Sequence, residues 1–430
     1  MAQSIAFEVL MSKKIKVLVI SDHPLSPSGV GTQTKYIIES LLKTGKFSVV
    51  CLGGAIKHPN YDPQKISPYE DDWVIYPIDG YGSDDKIRSV MRTEKPDIVW
   101  FMTDPRFYEW LWFIENEVRS HIPMVYYHVW DNYPAPMFNR PFYLSNDVIV
   151  SISKVTHDIV SEVAPEVENV YLPHAVESVV FKPYPEEQIK ALREVHFPKI
   201  GMDKVIFFWN NRNARRKQSG TLLWWFNEFA EEVGPENVRL VMHTDPSDPH
   251  GQPLDHMIQA IDAADGRIML STDKLPPENL ADMYNMADCT INIADAEGFG
   301  LATLESLSCG TPIIATMTGG LQEQVTDGEE WFGIGIEPAS KVVIGSQQVP
   351  YIHEDRISKE DFLEALRKVY NMSREERKEI GSKGAAHVDK NYNFDEYGKK
   401  WVDLMLDIHE RYGSWENREG YDRWALTEVT

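Results

Sequence analysis

The amino-acid sequence predicts an α/β protein with two tandem domains, each built on a parallel sheet that is covered by helices. Three observations lead to this prediction. The chain has 430 residues, which is enough for two or three domains. Short apolar runs alternate with longer amphipathic stretches, as expected for parallel strands joined by helical crossovers. The alternation of strands and helices begins again with a strand at 205–209, so two α/β domains in tandem are predicted.

The first half opens with a strand, a turn and a helix. An apolar strand is predicted at 15–20, a turn at 21–31 and a helix at 32–43, which ends at Gly45. Further strands are predicted at 47–52, 73–76, 97–102, 124–128 and 147–151. Residues 1–10 are expected to be a disordered leader. They are not interpreted as a signal peptide, because they carry Glu8 and lack a basic start and a cleavage site. Whether the natural start is Met1 or Met11 stays open.

The second half repeats the alternation and ends in helices. Strands are predicted at 205–209, 238–243, 267–271, 290–293 and 312–315, and charged helices at 361–370, 373–390 and 397–412. Strands of this kind have both faces buried, which is typical of parallel sheets.

Composition excludes several function classes. The net charge of −23 argues against a general affinity for nucleic acid or anionic membranes, although a local basic patch stays possible. No run of 18 apolar residues occurs, so no membrane-spanning segment is predicted. The three cysteines are widely spaced and lie in apolar surroundings, which favours reduced thiols and a cytoplasmic protein.

The most informative segment is residues 297–305, which read EGFGLATLE. A buried strand precedes it, so we expect Glu297 in a turn and Glu305 inside the helix that begins near Leu301. The unpaired N–H groups at the start of such a helix can hold an anion such as a diphosphate. Carboxylates accept hydrogen bonds, so a glutamate on each side of the anion suits the hydroxyls of a ribose and of a sugar.

Residues 297–320 read EGFGLATLESLSCGTPIIATMTGG, and this stretch resembles the signature of the family-4 retaining glycosyltransferases of group 1. The resemblance implies a GT-B fold, in which two Rossmann-like domains face each other across a cleft. It implies an N-terminal acceptor domain at 11–180, a donor domain at 181–393 and a C-terminal crossing helix at about 394–430 that returns to the first domain. It also implies donor contacts from the turn and helix start, at Gly298, Phe299, Gly300 and Leu301, and a supporting turn at 318–320.

Cationic side chains follow the predicted strand 205–209 in the segment NNRNARRKQSG, residues 210–220. The carboxyl ends of parallel strands are where α/β proteins bind ligands, so these cations are expected to face the cleft and to stabilise a departing diphosphate. By the resemblance, Arg212 and Lys217 fit the catalytic pair best and Arg216 is a further donor contact. Which of Arg212, Arg215 and Arg216 contacts the diphosphate stays open.

Two segments of the first half match family positions near the transferred sugar. His128 ends the strand MVYYH, and the resemblance implies that it hydrogen-bonds the sugar or the reacting groups. Gly29 and Gly31 lie in the first predicted turn, where the resemblance implies backbone contacts to the diphosphate. Of the aromatic and polar residues after His128, those expected to contact the acceptor are Trp130, Asp131 and Tyr133.

The predicted function is metal-independent, retaining transfer of a hexose or pentose from a UDP- or GDP-type nucleotide sugar to an acceptor hydroxyl, with no cofactor. No Asp-x-Asp pair with metal-ligand company occurs, which is why no metal is predicted. The donor base, the sugar and the oligomeric state stay open. The acceptor is a carbohydrate, a small molecule or, by a weaker resemblance to enzymes of tailed phages that would act in the host cytoplasm, a hydroxymethylated DNA base. The alternatives are a GT-B epimerase or phosphorylase, and a non-catalytic nucleotide-sugar or nucleic-acid binding module.

Overall fold

The structure of the protein is a computed structural model that describes residues 13–198, 201–347 and 349–422. Two parallel sheets form its framework. The first sheet is built from segments between residues 15 and 171 and the second from segments between 205 and 336, so the predicted boundary at 180/181 falls between them. The predicted leader and the choice of starting methionine lie outside the described residues.

The first sheet has eight strands in the order β3-β4-β2-β1-β5-β6-β7-β8. Neighbouring strands are parallel except β3 and β4, which are antiparallel. The strands are β1 Ile15–Asp22, β2 Phe47–Gly54, β3 Gln64–Ile66, β4 Glu70–Pro77, β5 Ile98–Thr103, β6 Met124–His128, β7 Val148–Ser151 and β8 Glu168–Tyr171. Every residue of β5 and β6 is buried, which agrees with the unbroken apolar runs of the sequence.

Helices connect these strands. They are α1 Gly29–Lys43, α2 Asp84–Glu94, α3 Glu109–Trp112, α4 Glu115–Arg119, α5 Arg140–Leu144 and α6 Lys154–Val163. Helix α1 begins earlier than the predicted residue 32, because Ser28 is its N-cap and accepts a hydrogen bond from the N–H of Gly31. Gly29 and Gly31 therefore belong to the first turn of α1, whereas the sequence analysis predicted them in the preceding loop.

The second sheet has six parallel strands in the order β11-β10-β9-β12-β13-β14. They are β9 Val205–Asn210, β10 Val238–His243, β11 Ile268–Ser271, β12 Cys289–Asn292, β13 Ile313–Thr316 and β14 Gly333–Ile336. The helices around this sheet are α7 Glu186–His196, α8 Ser219–Val233, α9 Leu254–Ala260, α10 Pro277–Met286, α11 Leu301–Ser308 and α12 Gln322–Val325.

An antiparallel hairpin follows the second sheet and was not predicted. It consists of β15 Ser340–Ile344 and β16 Ile352–Arg356. The side chain of Asn132 donates to the carbonyl of His353 at 2.7 Å, and the rings of Phe138 and Tyr351 lie 5.2 Å apart. The hairpin thus leaves the second half of the chain and contacts the first.

The last helices are α13 Lys359–Asn371, α14 Arg374–Asn391 and α15 Phe394–Tyr412. Helix α15 packs on the first sheet, where the buried ring of Trp401 lies 6.0 Å from Trp100 and 4.8 Å from Tyr127. The crossing helix is shorter than the predicted 394–430, because it ends at Tyr412 before Gly413, which has a φ of +56°.

Candidate active site

A cavity of about 1110 Å³ lies between the two sheets, at the carboxyl ends of their strands. This is the edge at which parallel α/β sheets bind ligands. The first half of the chain contributes wall residues after β1, β5 and β6, and the second half contributes the loops after β9 and β12 and the start of α11. Its wall includes Gly29, Trp130, Asp131, His174, Arg212, Arg216, Lys217, Glu297, Gly298, Phe299, Gly300 and Leu301.

Lys217 and Glu297 form a buried ion pair in this cavity. The Lys217 ammonium donates to Glu297, and the two residues are 7% and 9% exposed. Lys217 ends a short 3-10 turn after β9, and Gln218, in the left-handed conformation with a φ of +55°, then redirects the chain into α8. Burial and the neighbouring Arg216 lower the pKa of Lys217 to about 8, against the opposing effect of Glu297. Burial opposes ionisation of Glu297, but Lys217 and Arg216 hold the pKa of that carboxyl below its ordinary value.

Arg216 joins the two loops that carry this pair. Its guanidinium donates to the carbonyl of Ala296 at 2.7 Å, and its own carbonyl accepts from the N–H of Asp295 at 2.8 Å. Arg216 also lines the cavity. Arg216 and Lys217 therefore lie close to two carboxylates, Glu297 and, from the first half of the chain, Asp131. The wall of the second half is still attractive to an anion, because Arg212 and Arg215 also line it and its cations outnumber its carboxylates, Glu297 and Glu354.

Arg212 is placed differently from what the sequence suggested. Its guanidinium lies 2.6 Å from Asp248 and also contacts His250, and 62% of the side chain is exposed. Arg215 is bound by Glu354 of β16 at 2.6 Å. The prediction paired Arg212 with Lys217, whereas the structure brings Arg216 to Lys217, because the 3-10 turn moves Arg216 and Lys217 inward and leaves Arg212 at the rim.

The start of α11 forms the next part of the wall. Gly298, Phe299, Gly300 and Leu301 all line the cavity. Gly300 precedes the helix with a φ of +93°, and a side chain there would meet Leu321 and Thr303, so the tight entry into α11 requires glycine. The helix has no side-chain cap, and its first N–H groups are therefore available to an anion.

The starts of α1 and α11 face each other across the cavity. A Cβ atom added to Gly29 would lie 3.0 Å from the Leu301 side chain, and Gly29 lines the cavity. Gly31 does not line the cavity, and its N–H donates to the side chain of Ser28. Two helix starts, both positive ends of a helix dipole, thus converge on one space.

Glu305 lies one turn further into α11 and is partly buried. The hydroxyl of Tyr284 donates to it at 2.7 Å, and Asn210 in turn donates to Tyr284 at 2.8 Å. Burial raises the pKa of Glu305 to about 7, although the Tyr284 hydrogen bond opposes this. The carboxyl is therefore poised to ionise near neutral pH.

The turn at 318–320 holds the Glu297 loop in place. The N–H of Gly320 donates to the Glu297 carbonyl at 3.0 Å, and a side chain on Gly319 would collide with that same carbonyl. Because Gly319 also has a φ of +48°, glycine is needed there for two reasons.

His128 does not line the cavity, which contradicts the expectation that it faces the sugar. Its side chain is fully buried, and Nε2 is paired with the Tyr143 hydroxyl at 2.7 Å. Burial lowers the pKa of His128 to about 3, so the ring is neutral at physiological pH. The aromatic side chains that follow β6 cover it from the cleft, and the ring of Trp130 stacks 6.3 Å from it.

The three predicted acceptor contacts separate. Trp130 and Asp131 line the cavity, and burial raises the pKa of Asp131 to about 6. Tyr133 does not line this cavity; it is 48% exposed and its hydroxyl donates to Glu162 at 3.1 Å. The structure therefore does not bring Tyr133 to this cavity.

Two groups of cavity residues were missed. His174, in the segment between the two sheets, is 4% exposed, pairs with Tyr127 at 2.7 Å and lies 5.1 Å from the Phe299 ring. Its position in a segment interpreted only as a domain connection concealed it. The hairpin supplies the second group, including Gly345 and Glu354, and was missed because its strands have only five residues each and β16, IHEDR, is mostly polar.

Among residues 13–198, 201–347 and 349–422, no group of three or more histidine, cysteine, aspartate or glutamate side chains is arranged to hold a metal ion. Within the same residues, no helix has both the length and the apolar character needed to cross a membrane. The cations and the two helix starts are groups that can bind an anion, and the buried carboxylates are groups that can accept hydrogen bonds from hydroxyls.

Comparisons with known proteins find one matching family model and several similar proteins. Residues 200–387 match the model of the family "Glycosyl transferases group 1". The chain is 44% identical over 66 residues to a D-inositol 3-phosphate glycosyltransferase of Acidothermus cellulolyticus, which is 15% of each protein. It is 27% identical over 100 residues to the N-acetyl-alpha-D-glucosaminyl L-malate synthase of Bacillus anthracis, or 23% of this chain and 26% of that protein. These alignments thus span about a quarter or less of the curated relatives.

Solved structures are similar over nearly the whole chain. The sucrose-phosphate synthase of Thermosynechococcus elongatus superposes with a TM-score of 0.72 at 16% identity, covering 92% of this chain and all of that one. The Anabaena protein HepE in complex with UDP-glucose superposes with a TM-score of 0.67 at 12% identity, covering 91% and 99%. The fold is GT-B, as the resemblance implied.

Proposed function

We propose that this chain, whose residues 200–387 match the group 1 glycosyl transferases, moves a sugar from a nucleotide-diphosphate sugar to an acceptor hydroxyl in the cleft. One observation carries the proposal: the buried Lys217–Glu297 pair lies beside Arg216 and the open start of α11, on the wall between two Rossmann-like sheets. The group 1 match and the UDP-glucose held by the similar HepE structure support it.

The leaving diphosphate is the centre of the proposed reaction. When the sugar–phosphate bond breaks, negative charge grows on the phosphate oxygens. Arg216 and Lys217 balance that charge, and the N–H groups at the start of α11 donate hydrogen bonds to it. Glu297 holds the Lys217 ammonium in place and presents its second oxygen to the sugar.

The nucleotide part of the donor extends along α11 toward Glu305. A ribose hydroxyl would donate to the Glu305 carboxylate, whose position Tyr284 fixes. Glu305 is the residue expected to contribute mainly to donor affinity, whereas Lys217 contributes to the rate.

Retention is proposed because residues 297–320 resemble the retaining family-4 enzymes. Transfer without a metal ion is proposed because Arg216 and Lys217 supply positive charge that could balance the diphosphate. The acceptor enters from the first half of the chain, past Trp130 and Asp131. A carbohydrate or another small hydroxyl compound is proposed rather than DNA, since the chain carries a net charge of −23.

A donor-turnover assay tests the proposal. UDP- and GDP-sugars are incubated with the chain and a panel of acceptors, with and without a chelator, and release of nucleoside diphosphate is measured. We expect acceptor-dependent release that the chelator does not change, and a product whose anomeric proton coupling matches that of the donor.

Other outcomes would support the alternatives. Conversion of one nucleotide sugar into another without diphosphate release would indicate an epimerase. Phosphate-dependent formation of a sugar phosphate would indicate a phosphorylase. A thermal shift with a nucleoside diphosphate but no turnover with any acceptor would indicate a binding module.

A further inference from the structure

The β15–β16 hairpin contacts both the first half of the chain and the loops of the second-half wall. Its second strand, β16, covers Ile352–Arg356. Ile352 and Glu354 of this strand also line the active-site cavity. The strand therefore lies beside the place where the proposed transfer occurs, and its attachments show which groups of the site it holds.

On the side of the second-half wall, the hairpin is attached through the backbone. The N–H of Asp355 donates to the carbonyl of Asp295 at 2.8 Å, and the N–H of Asp295 donates to the carbonyl of Arg216 at 2.8 Å. Consecutive hydrogen bonds thus join β16, the loop after β12 and the loop after β9. Asp295 lies two residues before Glu297. Arg216 directly precedes Lys217, so both loops of the buried ion pair are held by this chain of hydrogen bonds.

Side chains of β16 reinforce the same attachment. The Glu354 carboxylate, which is 2% exposed, accepts hydrogen bonds from Nη1 and Nη2 of Arg215 at 2.9 and 2.6 Å. Arg215 begins the 3-10 turn that ends at Lys217. Arg356 forms an ion pair with Asp295. Burial opposes ionisation of Glu354, but the hydrogen bonds from Arg215 hold the pKa of that carboxyl below its ordinary value, so the pair is charged at neutral pH.

Other contacts of the hairpin reach the first-half wall. The side chain of Asn132 donates to the His353 carbonyl at 2.7 Å. The Tyr351 ring lies edge-on to the Phe138 ring, with 5.2 Å between the ring centres. Asn132 directly follows Asp131, which is proposed to contact the acceptor. One short hairpin therefore joins the wall that is proposed to hold the acceptor to the loops that carry the ion pair.

The relative position of the two walls matters because transfer to the acceptor competes with hydrolysis of the donor. In the proposed reaction the two walls hold the acceptor hydroxyl and the leaving diphosphate. A displacement of roughly 1 Å between reacting groups can lower a rate by about a hundredfold. Water is not positioned by the first-half wall, so its attack should lose less from such a displacement.

We propose that the β15–β16 hairpin is a positioning element for the transfer reaction, and that Glu354 is its main positioning residue. The hairpin fixes the loops of Lys217 and Glu297 relative to the first-half wall, and it thereby favours the acceptor hydroxyl over water. This inference rests on the proposed function for the identity of the reaction, whereas the attachments of the hairpin are independent of it.

Turnover of the donor by the full chain tests the proposal when transfer and hydrolysis are measured separately. The donor is the UDP- or GDP-sugar that gives the highest wild-type turnover. Glu354→Gln keeps the size of the side chain and removes its charge. We expect kcat for transfer to fall by about tenfold to a hundredfold and the ratio of transfer to hydrolysis to fall by at least about fivefold. The KM for the donor should change by less than about threefold, because Arg216, Lys217 and the start of α11 remain.

A second variant tests the attachment to the first-half wall. Tyr351→Ala removes the ring contact with Phe138 at a position that is 43% exposed, so the core is left intact. It should lower the ratio of transfer to hydrolysis in the same direction as Glu354→Gln.

A matched control separates positioning from stability. Asp288 is 7% exposed and pairs with two arginines, as Glu354 does. It directly precedes β12 and lies at the amino edge of the second sheet, away from the cleft. Asp288→Asn should lower the free energy of unfolding and leave the ratio of transfer to hydrolysis unchanged.

Hydrogen exchange of the protein without ligand gives a readout that does not depend on activity. Peptides covering residues 211–218 and 293–298 should exchange faster in Glu354→Gln than in the wild type, and at the wild-type rate in Asp288→Asn. Unchanged exchange in Glu354→Gln, or a wild-type ratio of transfer to hydrolysis in both hairpin variants, would overturn the proposal. A wild-type protein without turnover would instead refute the proposed function, and exchange would still decide whether Glu354 holds the loops.

Discussion

The two walls of the cleft have the same backbone architecture but different side chains. Each is the carboxyl edge of a parallel sheet followed by a helix start, at α1 in the first half and at α11 in the second. The second-half wall holds charged groups in contact, with Lys217 and Arg216 beside Glu297. The first-half wall places the neutral His128 behind a layer of aromatic side chains.

This difference indicates a division of labour. Charge that a reaction creates is stabilised by charges that are fixed beforehand, and only the second-half wall has a surplus of cations. The first-half wall offers the apolar and hydrogen-bonding surface of Trp130 and Asp131, which suits recognition of a neutral hydroxyl compound.

The largest effect is expected from removing the Lys217 charge. Lys217→Ala should remove roughly 3–4 kcal/mol of transition-state stabilisation, which lowers the turnover number by about two to three orders of magnitude. Steady-state kinetics with the best donor measures this. An unchanged turnover number would place the leaving group elsewhere and remove the contrast between the walls.

Stability has to be separated from catalysis in that variant. Lys217→Ala leaves Glu297 as an uncompensated buried charge, which costs about 3–5 kcal/mol when a partner of a buried pair is lost. The double variant with Glu297→Gln should recover most of the free energy of unfolding but not the activity. Recovery of both would mean that the ion pair is only structural.

The two arginines of the β9 loop sharpen the comparison next. Arg216→Ala should lower kcat/KM through a loss of about 2 kcal/mol of transition-state stabilisation, because it removes a cation from the cavity wall. Arg212→Ala should change it by less than about threefold, because this exposed side chain is already paired with Asp248. Equal losses in both variants would mean that Arg212 leaves Asp248 when the donor binds.

Glu305→Gln gives a smaller effect with a defined pH dependence. Burial raises the pKa of Glu305 from 4.5 to about 7, so the folded state binds one proton more than the unfolded state between these pH values. Glu305 therefore costs stability that grows as pH rises through this window and is complete above about pH 7. At pH 8 the free energy of unfolding of the glutamine variant should exceed that of the wild type by about 1–3 kcal/mol. At pH 4 the two proteins should be equally stable.

The same variant tests the donor role of Glu305. Its dissociation constant for the nucleoside diphosphate should rise, because a ribose hydroxyl loses a charged acceptor. Unfolding curves at both pH values and calorimetric binding provide the check. A variant that gains no stability at pH 8 would show that the carboxyl is well solvated.

His128→Phe is expected to have the smallest effect on catalysis. The turnover number should stay within about threefold, and the free energy of unfolding should fall by about 1 kcal/mol through loss of the Tyr143 hydrogen bond. Because burial lowers the pKa of His128 to about 3, the unfolded state binds the extra proton, and wild-type stability falls as pH drops from 6.5 toward 3. The free energy of unfolding of the variant should fall less than that of the wild type over the same pH range. A large drop in turnover would mean that His128 reaches the donor.

The same contrast explains what the sequence could predict. Strand β10 was predicted at its observed bounds, and so was β6, because short, mostly apolar runs identify buried parallel strands. The site segment 297–305 was also readable, since its turn and helix are local in the chain and depend on Gly300.

The remaining features depend on contacts between distant segments. Whether Arg212 or Arg216 points inward is decided by Asp248 and by the carbonyl of Ala296, respectively 36 and 80 residues away. The burial of His128 depends on Tyr143 and Trp130, and the position of the hairpin depends on contacts such as that of Asn132 with the His353 carbonyl. No periodicity within a segment reports such partners.

The central claim is that Arg216, Lys217 and the start of α11 bind one diphosphate. A crystal structure with the nucleoside diphosphate that gives the largest thermal shift tests it most directly. The account predicts phosphate oxygens within about 3 Å of both cationic side chains and of an N–H group at the start of α11. A diphosphate bound away from Lys217, with the Lys217–Glu297 pair untouched by ligand, would contradict it.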